Sequence, residues 1–512
     1  MTKKALIKSS AVISVATAIS RALGFVRDIV IANFFGTSLG AQAFVVAFRI
    51  PNSLRDLVGE GATNAAIVPV LTEYKTLKDE KEFVHVSRVL FNISFVSLIA
   101  ITVLGIIFSP LIVRAIAPGF IDEPSKFDLT VKLNRVIFPY LILIGLTAYA
   151  MGVLNALKHF AGPAFGPALM NIAMIGSAVL LCPKIGVMGL AIGVLVGGAL
   201  QLFLNVPFIY KNGISINFKD GFKHPAVKRI GKLLVPRVIG TAIYQINIFV
   251  DTIIASLGWV VGSGGVAALY YASRLLQFPL AIFGLAIAQA ALPKMSREYA
   301  SNDIGRLKET LSFSLRVVFL IMVPASFGLA VLGEPIIKIL FQRGEFTQYS
   351  TMITQSALFY YSFGLFAYSG TKLLVSTFYS MHDTATPVKT ALASVVINII
   401  LSLILMWPLK LGGLALATSV SATFNFTALF IILRRRIGDF GTREIADSFL
   451  RIFLASVCMS IVLIVTMKSA RHFGAASLFI CIIMSIIVFT SASYLLRVKE
   501  MRRFSEWILK RR

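Results

Sequence analysis

Runs of about twenty apolar residues, separated by short polar stretches, recur from one end of the chain to the other. They predict membrane-spanning helices near 8–35, 40–70, 84–114, 131–156, 164–182, 186–210, 233–259, 266–293, 311–333, 351–379, 388–407, 411–433, 446–467 and 475–496. The expected fold class is an all-α polytopic membrane protein with about fourteen transmembrane helices. Strict apolar/polar alternation, the mark of a β-barrel, is absent.

Composition agrees with this pattern. Of 512 residues, 57% are hydrophobic and only 14% charged, with a mean hydropathy of +0.84, too little charge to clothe a soluble protein. The net charge of +26 would point to nucleic acid in a soluble chain. Here the basic residues sit between apolar runs, so no nucleic-acid partner is expected and the charge reads as topology. Counted by alternate loops, Lys and Arg favour the side of the termini by roughly three to one, which places both termini in the cytoplasm. Residues 1–20 imitate a signal peptide, but the apolar stretch continues past Arg21 and an uncleaved first helix is expected. Cys182, Cys458 and Cys481 imply no disulfide framework.

Matches at a separation of about 223 to 225 residues point to an internal duplication. Asp28 and Ala32 pair with Asp251 and Ala255, Ala47 and Arg49 with Ala272 and Arg274, Glu73-Tyr74 with Glu298-Tyr299, and Gly189-Leu-Ala with Gly413-Leu-Ala. Six helices return the chain to its starting side, so the two repeats are parallel and two C-terminal helices lie outside them. The expected domains are an N-terminal lobe (1–211), a basic cytoplasmic linker (212–232), a C-terminal lobe (233–436), and two added helices with a basic tail (437–512).

Charges inside spans are costly and mark function. The first helix carries Arg21, Arg27 and Asp28, with Arg21 and Asp28 on nearly one face and Arg27 about 100° away from Asp28. The second carries Arg49, Pro51, Arg55, Asp56 and Glu60, and its proline and glycines are expected to break regular helix. The second repeat adds Asp251 and Arg274. Arginines in excess over carboxylates suit an anion, above all a pyrophosphate, because guanidinium binds phosphate oxygens bidentately. The competing reading pairs Arg21, Arg27 and Arg55 with neighbouring carboxylates. Asp251, Asn398 and Thr418 offer oxygen ligands for a sodium ion or a proton. Gly189-xxx-Gly193-xxx-Gly197 reads as a close-packing helix seam. The five histidines lack metal-ligand spacing, and no P-loop, HExxH or paired Asp-x-Asp motif occurs, so transport without bond making is expected rather than enzymatic chemistry.

Several segments resemble the MurJ (MviN) lipid II flippases. They are Ser20 to Asp28, Ala47 to Asn52 with Leu54-Arg55 and Gly59 to Ala62, Val68 to Tyr74, Tyr271 to Arg274 with Phe278-Pro279, Phe341 to Thr347, and Phe378-Tyr-Ser with Thr386 to Lys389. The resemblance covers residues from about 8 to 435 and, more loosely, the last two helices. It implies the multidrug/oligosaccharidyl-lipid/polysaccharide exporter fold, with two lobes around a cationic cavity. It further implies transport of undecaprenyl-pyrophosphoryl disaccharide-pentapeptide to the outer leaflet of the bacterial cytoplasmic membrane, among membrane lipids and alongside the peptidoglycan synthesis machinery. By motif position, Arg27, Asp28 and Arg274 would hold the pyrophosphate and sugar region, Arg21 and Arg55 would be essential cavity charges with Arg49 beside them, and Glu60 would belong to a gate. Asp251, Asn398 and Thr418 match a sodium site, with sodium as coupling ion and no other cofactor. Gln42, Ser273, Gln277 and Ser402 stand where some members carry acidic residues, which favours anion binding and weakens cation coupling. The rival readings are a flippase for another polyprenyl-linked oligosaccharide, a drug or cation antiporter, which needs an acidic cavity, and a membrane enzyme acting on lipid pyrophosphates, which needs acidic clusters in its loops.

Overall fold

The computed structural model describes residues 3–58, 66–159, 161–214, 218–469 and 476–501, and all regular structure among them is helical. Ten helical segments are long and apolar enough to cross a membrane. The described parts of the other four expected spans are also helical, but they carry charges or divide into shorter helices; residues 59–65 of the span 40–70 lie outside the described residues. The chain forms two compact units, one of residues 1–257 with Arg343–Thr347, the other of Gly258–Gln342 with Gln348–Arg512.

The first unit contains α1 (Lys3–Phe35), α2 (Leu39–Val58), α3 (Val68–Leu77), α4 (Glu80–Ile107), α5 (Ser109–Ile116), α6 (Pro124–Ile137), α7 (Tyr140–Ala156), α8 (Ala161–Leu180), α9 (Met188–Lys211) and α10 (Pro225–Ser256). Ile31, Phe44, Leu133, Tyr140, Met174 and Leu190 are buried in its core, which joins α1, α2, α6, α7, α8 and α9. The glycine seam packs as its spacing predicts. A Cβ on Gly193 would lie 2.8 Å from the Ser177 Cβ, and one on Gly197 would lie 2.5 Å from the Met170 sulfur, so these glycines bring α9 against α8.

At Pro51 the second helix departs from expectation, because α2 runs through it without a break; Gly59 and Gly61 lie outside the described residues. Proline cannot donate to the carbonyl four residues earlier, here that of Ala47. The buried Asn134 side chain of α6 donates Nδ2–H to that carbonyl at 3.1 Å, and Ser109 Oγ donates to Asn134 Oδ1 at 2.7 Å. A tertiary donor thus replaces the missing backbone bond and the helix continues.

The basic stretch 212–232 and α10 both belong to the first unit, whose main boundary falls after Leu257. The far end of α10 is pinned there: Gly119 N–H donates to Ser256 Oγ at 3.1 Å. A Cβ on Gly119 would sit 2.1 Å from the Ser256 carbonyl oxygen, so only glycine allows this approach.

The second unit contains α11 (Gly265–Pro279), a π-helical turn (Leu280–Gly284), α12 (Leu285–Ala300), α13 (Ile304–Phe341), α14 (Gln348–Ser362), α15 (Leu365–Ser380), α16 (Ala385–Leu409), α17 (Leu411–Ile437), α18 (Thr442–Ser469) and α19 (Ala476–Leu495). Phe319 of α13 meets Phe449 of α18 edge to face at 5.2 Å, and Phe366 and Phe426 extend the cluster into α15 and α17. Ring packing of this kind ties the C-terminal helix pair to the unit. The repeat is visible in packing as well as in sequence. Gly189 near the start of α9 abuts the Cys182 backbone at 2.8 Å, and its partner Gly413 near the start of α17 abuts the Leu405 carbonyl at 2.1 Å, both measured to a hypothetical Cβ.

Candidate functional site

In the first unit the charged positions are held by neutral polar groups from distant helices. Asp28 is buried in α1, and Arg27 folds back onto it, with Nη2 to Oδ1 at 2.7 Å and Nε to the same oxygen at 3.0 Å. The helical wheel separates these two residues, but the three-methylene stem of arginine lets its head return to the adjacent carboxylate. The expected splay of Arg27 away from Asp28 is therefore corrected, and for this arginine the ion-pair reading holds. The other edge of the guanidinium donates from Nη1 to Asn171 Oδ1 of α8 at 3.0 Å, and Asn171 Nδ2 donates to the Ser20 carbonyl at 2.9 Å. Asn171 thereby fixes both the arginine and the local path of α1.

Arg49 of α2 donates from Nη1 to Thr252 Oγ1 of α10. One turn further along, Ser53 Oγ donates to Gln245 Oε1 at 2.9 Å, with both side chains buried. These contacts bind the charged face of α2 to α10 at two heights. Asp251, next to Thr252, is 9% exposed. Arg55 is half-buried, while Arg21 is exposed and makes no hydrogen bond or ion pair among the described residues. Glu60 lies outside the described residues.

In the second unit, Arg274 stands on α11 near its junction with the π-helical turn. Its guanidinium carbon lies 4.9 Å from the centre of the Tyr270 ring, Nη2 donates to Tyr270 Oη at 3.3 Å, and Nη1 donates to Gln277 Oε1 at 3.3 Å. Both partners lie on the same helix, one turn before and one turn after, so the arginine is aimed by its own element. Ser273 Oγ donates to the Tyr270 carbonyl at 2.8 Å.

The oxygen ligands of the expected sodium site divide between the units, with Asp251 in the first and Asn398 and Thr418 in the second. Asn398 Nδ2 donates to Thr418 Oγ1 at 3.1 Å, and that hydroxyl donates to the Leu414 carbonyl at 2.9 Å. Asn398 Oδ1 and Ser402 Oγ are buried one turn apart on α16 without a hydrogen-bond partner among the described residues. Two orphaned oxygens are a fit for a hard cation, but every donor that α16 and α17 contribute here is neutral.

Asn171, Asn134, Ser53, Gln245, Thr252 and Tyr270 escaped the sequence reading. They are uncharged, and apart from Tyr270, which meets Arg274 one turn away, only their long-range partners reveal them. The Ser20-Arg21 and Ala47-x-Arg49 motifs supplied the sole signal that polar partners had to exist.

A family model described as "Lipid II flippase MurJ" matches residues 31–485. A relative from Vibrio cholerae serotype O1, called a probable lipid II flippase MurJ, is 38% identical over 436 residues, covering 83% of this chain and 82% of the relative. Among solved structures, "Lipid II flippase MurJ, inward closed conformation" is similar with a TM-score of 0.82 and 28% identity, covering 94% of this chain and 98% of the other. An inward-facing multidrug resistance MATE family transporter shares the fold, with a TM-score of 0.68 at 17% identity, covering 84% of this chain and 99% of the other.

Proposed function

The chain belongs to the MurJ lipid II flippase family, and from that membership we propose that it moves lipid II across the bacterial cytoplasmic membrane by alternating access. The substrate is the undecaprenyl-pyrophosphate-linked peptidoglycan precursor, and the direction is from the inner to the outer leaflet. The headgroup enters a polar cavity while the polyprenyl tail stays in lipid, so no bond is made or broken and the protein is a transporter rather than an enzyme. Both termini face the cytoplasm, in keeping with the excess of Lys and Arg on that side.

The observation that carries the site is the polar scaffolding beneath each arginine: Arg27 on Asn171, Arg49 on Thr252, and Arg274 on Tyr270 and Gln277. A side chain locked in this way presents its guanidinium with less loss of rotamer freedom on binding, which suits recognition of a diphosphate. Arg27 and Arg274 would grip the pyrophosphate, with Asp28 orienting Arg27 and receiving sugar hydroxyls. Arg21, Arg49 and Arg55 would set the positive potential of the path, and Glu60 would act at its gate.

By the family resemblance, Asp251, Asn398 and Thr418 would be oxygen ligands of a sodium ion, whose transmembrane gradient would drive the cycle. Asp251 brings the only carboxylate to this set and Ser402 a neutral hydroxyl, so the ion would be held weakly. Membrane lipids surround the protein, and enzymes that consume lipid II on the outer leaflet would draw transport forward.

Depleting the protein from growing cells tests the reading. Lipid II should become inaccessible to an externally added enzyme that cleaves it, while its total amount rises. Unchanged accessibility after depletion would refute lipid II transport.

A further inference from the structure

A second charged site lies in the second unit, remote in sequence from every arginine discussed so far. A cavity of about 290 Å³ opens where the start of α18, the chain just after α19 and the fourth turn of α13 meet. Its floor is a buried ion-pair network. Arg316 of α13, 8% exposed, reaches Glu444 Oε2 from Nη1 at 2.7 Å and Glu500 Oε1 from Nε at 3.1 Å. Ser448 Oγ donates to the other Glu500 oxygen at 2.9 Å. On one wall Arg451 pairs with Asp447 at 2.9 Å and donates to the Leu496 carbonyl at 2.9 Å, closing the end of α19. These groups pair mainly with one another, Arg316 Nε meeting Glu500 as a charge and not through a formed hydrogen bond.

The rim differs. Arg443, Arg497 and Lys499 line the cavity, are exposed, and make no ion pair among the described residues. Counting the whole lining, five cations face three carboxylates, and the surplus positive charge lies at the mouth.

The backbone at Arg497 reinforces this. Arg497 has φ +56° and closes α19 in the left-handed conformation, with Val498 N–H donating to the Ser493 carbonyl at 2.9 Å and the Val498 side chain buried. Glycine is the usual residue at this position of a helix terminus, because a side chain there is strained. Here the strained position carries a guanidinium, and the turn sets Arg497 and Lys499 on the rim with Val498 between them pointing inward.

Beside the rim the surface turns apolar. Leu450 and Leu454 on α18, about two and three turns beyond Arg443, and Tyr494 and Leu495 on α19, within one turn of Arg497, are all exposed. A phosphate at the mouth would therefore have hydrocarbon surface beside it. The same end of the unit carries Arg434, Arg435 and Arg436 on the last turn of α17, the charge pattern of a membrane surface with anionic lipid.

We propose that this cavity binds the phosphate-bearing headgroup of an anionic phospholipid, with Arg443, Arg497 and Lys499 as its ligands and the flanking α18 and α19 surfaces as the rest for its acyl chains. Basic pockets between membrane helices suit such headgroups, and guanidinium supplies bidentate contact to the phosphate oxygens. The buried Arg316–Glu500 network forms a rigid floor and is not itself a ligand.

The test is thermal unfolding of the full-length chain in dodecyl maltoside micelles doped with phosphatidylglycerol, with phosphatidylcholine at equal concentration as the neutral control. Phosphatidylglycerol should raise the midpoint in a saturable way and phosphatidylcholine should not. Arg497→Gly keeps, and relaxes, the turn while removing the cation. It should weaken the apparent affinity for phosphatidylglycerol about fivefold and leave the midpoint in phosphatidylcholine unlowered. Adding Arg443→Gln and Lys499→Gln should erase the preference. Equal stabilisation by both lipids, or a phosphatidylglycerol response unchanged in Arg497→Gly, would overturn the proposal. Stabilisation by inorganic phosphate alone, lost in the same variants, would show a site for a soluble anion and would equally overturn the lipid assignment. Should the triple variant fail to fold, Arg497→Gly decides by itself.

Discussion

The repeat-related helices α2 and α11 carry matching arginines, Arg49 and Arg274, and each has a proline downstream, yet they manage charge and proline in different ways. In α2, Asn134 of a neighbouring helix replaces the hydrogen bond that Pro51 cannot make, and Thr252 of α10 receives Arg49. In α11 both tasks are local: Tyr270 and Gln277 hold Arg274 from the same helix, and the backbone after Pro279 rewinds into a π-helical turn. The carboxylates diverge too. Asp28 has Arg27 beside it, whereas the residue before its partner Asp251 is Val250. Duplicated segments have kept the charged positions and replaced their supports. The Thr252 support of Arg49 holds only while α10 stays in place, whereas Tyr270 and Gln277 move with Arg274 because they share its helix.

The largest expected effect of this difference falls on Arg274. Arg274→Ala should lower lipid II transport in proteoliposomes about 100-fold with normal protein yield, and lysine should restore only part, since a point charge cannot replace a planar fork. Full activity in the alanine variant would remove Arg274 from the site. Asp28→Asn should act first on stability, because it leaves the Arg27 guanidinium buried beside a neutral amide; a loss of about 3 kcal/mol is expected in denaturant unfolding. If Arg27→Met together with Asp28→Asn were no more stable than Asp28→Asn alone, the pair would not be the reason.

Asn134→Leu tests the brace under Pro51 and should cost about 1–3 kcal/mol by orphaning the Ala47 carbonyl. The same change combined with Pro51→Ala should recover most of that loss, as the backbone then makes its own bond. The smallest effect is expected for Tyr270→Phe, which keeps the ring beneath Arg274 and removes one long hydrogen bond. Stability should shift by less than about 1 kcal/mol and transport should fall only a few-fold, whereas Tyr270→Leu should resemble loss of the arginine's aim.

Much of the fold was legible because a bilayer tolerates few exceptions: backbone within it must bond to itself, so long apolar runs can only be helices. The glycine seam was equally plain, since small residues at helical spacing bring two backbones together. The candidate site was proposed from its charges, and the sequence was opaque to their supports. Arg27 illustrates why, for a wheel fixes where a side chain leaves the helix and says nothing of where a long flexible stem delivers its head. Asn134 and Asn171 illustrate the other half. Nothing near either residue in sequence marks it as the partner of a carbonyl or guanidinium tens of positions away. The unbroken passage of α2 through Pro51 was misjudged for the same reason, as the bond that rescues the helix comes from outside it.

The fastening of α10 has a mechanical consequence. Held at Gln245, at Thr252 and finally at Ser256, it is a rod clamped at three heights, so a displacement of α2 or of the turn at Pro118–Phe120 is delivered without slack to Leu257. Immediately after, Gly258 opens a new short helix, Gly258–Val261. One residue, Leu257, therefore separates the clamped shaft from the next helical element.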